Sequence, residues 1–223
     1  MLRVFPAIRN NAFSFRRLYH YTPRQGIYTY NYYQKSPMPK GPLNFNAGPL
    51  VWIDCEMTGL NPQKDKIIEI AVLITNGNLD IVDEGLEYVI KTDKALLDGM
   101  DDWCTEQHGR SGLTKACLES PHTMESVSKS VLEYIKKWVP TERIGVLAGN
   151  SVHADRMFLA AQMPEIIDHL HYRIVGTLAS LVRASRHPSA ALDDIRGSIK
   201  ELQWYRENVF VNPSAVQHKT LPK

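Results

Sequence analysis

PLVWIDCEMTGLNPQKDKIIEIAVLIT, residues 49–75, is the stretch on which the fold turns. PLVWID is a short apolar run closed by TGLNP, the pattern of a buried strand entering a loop. IIEIAVLIT at 67–75 predicts a second, β-branched strand. NGN at 76–78 is hairpin punctuation, and LDIVDEGLEYVIKT at 79–92 predicts a third strand.

Downstream the period changes. Val127, Val131, Leu132, Ile135 and Trp138 recur at helical spacing over 123–138, RIGVLAG at 143–149 predicts a strand, and 152–162 a helix ending near Pro164. Ala191, Ile195, Ile199, Leu202 and Tyr205 mark a last helix over 190–208. An antiparallel start followed by alternating helices and strands implies an α/β single domain, a mixed sheet flanked by helices.

Upstream the composition differs. From Met1 to Ile53 there is no Asp or Glu, while Arg3, Arg9, Arg16, Arg17, Arg24, Lys35 and Lys40 are basic. An Arg-rich, acid-free start able to form a short amphipathic helix is the composition of a mitochondrial transit peptide, or else of a basic tail. The expected division is a targeting segment at 1–46, a catalytic domain at 47–212 and a tail at 213–223. Removing the seven basic residues from the total of 26 leaves 19 against 24 Asp and Glu, so the body has no polybasic footprint. No run is apolar enough for a membrane partner. Cys55, Cys104 and Cys117 are odd in number and form no CxxC pair, which argues against a zinc site or a disulfide framework.

Asp54 and Glu56 are separated by one residue at a strand end, so both leave the same face while Cys55 turns into packing. Such acids are either solvated or compensated by a cation. Asp155, in GNSVHADRMFL, opens a helix, where the helix dipole also welcomes an acid. Asp193 and Asp194 share the first turn of the last helix, and adjacent helical residues diverge by about 100°, so one of the two faces a common site. Four acids from three elements suit a pair of divalent ions and exceed what the acid and base of a glycosidase require.

WIDCEMTGLNP, DKIIEIAVLIT, MDDW, GNSVHADRMFL, HYR and ALDDIRGSIKELQWYREN occur in the order and approximate spacing of the oligoribonucleases, a branch of the DEDDh exonucleases. From Leu50 to Phe210 the chain resembles that family. The resemblance implies a ribonuclease H-like fold and a 3′ to 5′ exoribonuclease that degrades dinucleotides and slightly longer RNA to nucleoside 5′-monophosphates. Asp54, Glu56, Asp155 and Asp194 would hold two Mg²⁺ or Mn²⁺ ions, with Asp193 a structural neighbour.

The same resemblance makes Leu60 a wedge at the terminal base, Trp103 its stacking partner and His108 a residue near the 5′ phosphate. Asn150 and Ser151 would line the scissile region. Tyr172 and Arg173 would come from the second protomer of a homodimer. Read alone, these are a loop anchor, a half-buried aromatic, a surface histidine and side chains at a strand edge. The implied partner is short single-stranded RNA, with no DNA-specific partner, and the implied location is the mitochondrial matrix or intermembrane space.

Two departures stand out. The family pattern H-x-A-L-D-D puts its general-base histidine five residues before the metal-binding acid, and here that position is Ser189, which reads as a helix N-cap. His187 is the nearest histidine and the substitute candidate. The D-V-S-T segment that follows HYR in the family is also reduced to Val175, Gly176 and Thr177. Both departures imply reduced activity or, alternatively, a catalytically silent homologue that binds short RNA or dimerises.

Overall fold

The structure, a computed structural model, describes residues 41–177 and 190–210. His187 and Ser189 lie outside the described residues.

Five strands form one sheet: β1 Leu50–Met57, β2 Ile67–Thr75, β3 Leu86–Val89, β4 Val146–Asn150 and β5 Ile174–Thr177. Their order is β3-β2-β1-β4-β5, with β2 antiparallel to its neighbours and β4 and β5 parallel to β1. Every residue of β2 is buried, which is why its sequence reads as continuous apolar residues rather than alternation.

The helices are α1 Lys94–Asp98, α2 Asp102–Ser111, α3 Leu113–Glu119, α4 Met124–Trp138, α5 His153–Gln162, α6 Pro164–His169 and α7 Ala190–Asn208. On one sheet face Val51, Ile53, Val72 and Ile74 pack with Val131 and Ile135 of α4 and with Phe158 and Leu159 of α5. On the other, Trp52, Ala71, Leu73 and Ala148 meet Ala191, Ile195 and Ile199 of α7. No described helix is long and apolar enough to cross a membrane.

The third strand is shorter than its sequence suggests. Leu79 has φ 72° and Gly85 φ 83°, so the chain turns twice within 79–92, and only Ile81 bridges back to Thr75 before β3 begins. β4 begins at Val146 rather than 143, because Arg143 has φ 64° and its N–H is bonded to the His169 carbonyl, outside the sheet. Leu43, placed in the targeting segment by composition, is buried, and its N–H donates to the Trp138 carbonyl at 2.6 Å. The packed body therefore starts no later than Leu43.

Candidate active site

The acids meet at one end of β1. Asp54 and Glu56 share the sheet face of Trp52, which is the α7 side, and α7 brings Asp194 to it. The parallel pairing of β1 with β4 stops at Trp52 and Ala148, and beyond that point Asp155 Oδ1 accepts the Cys55 N–H at 3.0 Å. The first turn of α5 is thereby fastened to the strand between the two acids.

Burial pushes the Asp54 carboxyl well above its ordinary range, and the charges of Asp155, Glu56 and Asp194 push it further. Glu56 is raised by burial, with His108 opposing and Asp194 adding. Asp155 is raised to about 6 by burial despite the stabilising Cys55 N–H. Asp194 is raised by burial and by Asp193. Of the two adjacent acids, Asp193 is exposed and ion-paired with Arg196 at 3.2 Å, whereas Asp194 is half-buried and faces Asp54 and Glu56.

Sequence reasoning missed a fifth acid. Glu69 of β2 pairs with Glu56 across the strands, is 6% exposed, and is raised to about 8 by burial and by Glu87 and Glu56. Its signal was a single acid inside a run of eight apolar and β-branched residues.

Hard carboxylate oxygens that are desolvated and repel one another form a donor set suited to Mg²⁺ or Mn²⁺. Among the described residues, no three acids, imidazoles or thiols are drawn together tightly enough to make a finished metal cage. The cluster fits a divalent ion in charge and donor type.

Beside it is a cleft of about 470 Å³ lined by Glu56, Gly59, Leu60, Trp103 and His108, among others. Leu60 is 82% and Trp103 66% exposed, so neither is a core residue, and both present apolar surface to the cleft. His108 is buried rather than at the surface, with a ring nitrogen 2.9 Å from the Met57 carbonyl. Asn150 and Ser151 lie at the end of β4, with Ser151 at φ 47°, a left-handed conformation that an L residue holds at a cost. Tyr172 is exposed, stacked on His171 and beneath Arg173, ahead of β5. Asn150, Ser151, Tyr172 and Arg173 do not line the cleft.

A mixed five-stranded sheet flanked by helices, with acids clustered at the end of its central strand, is a ribonuclease H-like α/β fold. The exonuclease family model of RNase T type matches residues 51–200. A probable oligoribonuclease of Schizosaccharomyces pombe is 48% identical over 183 residues, 77% of this chain and 73% of the relative. The mitochondrial oligoribonuclease of Homo sapiens is 47% identical over 176 residues, 72% of this chain and 73% of the relative. Escherichia coli exonuclease I in complex with a dT13 oligonucleotide shares the fold at TM-score 0.55 and 11% identity, over 71% of this chain and 41% of that one. The chain belongs to the oligoribonuclease family, and it is accordingly a hydrolytic 3′ to 5′ exoribonuclease acting on short RNA.

Proposed function

We propose that the chain hydrolyses RNA dinucleotides and slightly longer oligomers to nucleoside 5′-monophosphates, with two Mg²⁺ or Mn²⁺ ions held by Asp54, Glu56, Asp155 and Asp194. The observation that carries this is the convergence of four acids from β1, α5 and α7, each with its carboxyl raised by burial or by its neighbours. Divalent ions, when bound, supply water activation and neutralise charge on the phosphoryl oxygens. The chain itself seats the terminal base between Leu60 and Trp103, where stacking tolerates any base. It also holds the scissile phosphate against the acids.

Mitochondrial relatives, including those of Saccharomyces cerevisiae and Homo sapiens, together with the acid-free amino-terminal segment, support a mitochondrial location. Diffuse cytosolic fluorescence from a reporter carrying residues 1–46 would refute it. Exposed Tyr172 and Arg173, next to the edge strand β5, support a homodimer that completes the site; a monomeric mass by light scattering counts against it.

Release of mononucleotides from a labelled RNA dinucleotide with Mg²⁺ or Mn²⁺ tests the reading directly. Ser189→His is expected to raise that rate by at least about tenfold, as restoration of a positioned general base does. If His187 serves instead, His187→Ala abolishes turnover and Ser189→His adds nothing. Binding without release in wild type and in both variants would favour the silent homologue.

A further inference from the structure

We propose that Asp65 and Gln162 are positioning residues, which fix the Leu60 loop relative to the acid cluster and so set the fit of the cleft to the terminal base. The inference rests on reading that cleft as the seat of short RNA.

Leu60 is 82% exposed and has no core packing of its own to hold it. Its loop is closed at the base by Thr58 N–H to the Lys66 carbonyl and Lys66 N–H to Thr58 Oγ1, both 3.0 Å. Inside the loop lies the Asp65 carboxylate. It accepts the Thr58 hydroxyl at 3.2 Å on Oδ1 and the Asn61 N–H at 2.8 Å on Oδ2. Gly59 passes so near that a Cβ there would lie 2.5 Å from Oδ2. One carboxylate therefore holds the Thr58 side chain on one side of Leu60 and the Asn61 backbone on the other.

Gln162 carries this hold to the metal-ligand side. At the end of α5, its Nε2 donates to the Asp65 carbonyl at 2.9 Å and its Oε1 accepts the Ile67 N–H at 3.2 Å. The start of the same helix is fastened to β1 through Asp155 and the Cys55 N–H. Helix α5 thus spans from the acid cluster to the base of the Leu60 loop, tied at both ends. Small displacements of a bound reactant are costly, about 10²-fold for 1 Å, so a frame linking base seat and acids has a direct use.

The test is a double-mutant cycle read by anisotropy of a labelled RNA dinucleotide in Ca²⁺, with melting temperature followed in parallel. Asp65→Ala and Gln162→Leu should each weaken binding, Asp65→Ala by about tenfold, and Gly59→Ala should act in the same direction. Because Asp65 acts through Leu60, adding Asp65→Ala to Leu60→Ala should cost little more than Leu60→Ala alone. A merely stabilising role lowers the melting temperature and leaves affinity unchanged, which overturns the inference. Fully additive losses overturn it too. Failure of the wild type to bind the dinucleotide overturns the underlying reading of the cleft, and the inference with it.

Discussion

Asp155→Asn is expected to slow mononucleotide release from an RNA dinucleotide by about 10³-fold or more, the equivalent of a few kcal/mol at about 1.36 kcal/mol per decade. The fold should survive. An asparagine carbonyl oxygen can still accept the Cys55 N–H that Asp155 now takes at 3.0 Å, so the link between α5 and β1 remains. What disappears is a negative charge from a place where burial already holds the carboxyl up to about 6 and Glu56 adds to the shift. In chelator at pH 8 the variant should melt at or above the wild-type temperature, since a repulsion has been removed. Calorimetric titration with Mg²⁺ should show weaker binding. A rate within tenfold of wild type would remove Asp155 from the catalytic set.

Much of this arrangement was legible in the sequence, for physical reasons that differ by element. β1 and β2 are buried on both faces, so they stand out as apolar runs, and α4 and α7 each bury a full helical stripe. Helices α1, α2, α3 and α6 are five to ten residues long and bury only one or two side chains each in the structure, too few for a period to show. What marks α2 is its caps: Asp101 accepts the Cys104 N–H, and Gly112 ends the helix at φ 80°.

The four acids proposed as metal ligands were legible as residues because they fall in a recognisable family pattern, and repulsion between Asp54 and Glu56 followed from their spacing, but the effect between Glu56 and Glu69 was not legible. That effect needs the register of β1 on β2, which includes a bulge next to Glu56 and sets Glu69 opposite it. A strand pattern read along one chain gives no sign of what lies across the ladder. His108 shows the same limit from the other side. A polar residue in a weakly amphipathic helix reads as surface, whereas the packing of α2 beside β1 buries it against the Met57 carbonyl.

Glu69 leads to the second large effect, on stability rather than rate. Its carboxyl is raised from an ordinary 4.5 to about 8 by burial first, then by Glu87 and Glu56, and no Lys or Arg among the described residues is ion-paired with it. Folded protein therefore holds this proton more tightly than the unfolded chain between about pH 4.5 and 8. Wherever the folded state binds more protons, stability falls as pH rises, so the contribution of Glu69 is greatest below the lower limit of that window and lost above the upper one. Raised carboxyls at Asp54 and Glu56 slope the same way. In chelator, denaturant unfolding of the wild type should show stability declining across the window. Glu69→Gln keeps the shape of the side chain and cannot ionise, so its curve should be flatter and should lie above the wild type at pH 8 by on the order of 1–3 kcal/mol, allowing about 1.36 kcal/mol per unit and discounting for residual solvent. Parallel curves for the two proteins would mean that Glu69 is ionised at little cost, and that the acids at the end of β1 and β2 do not share one field.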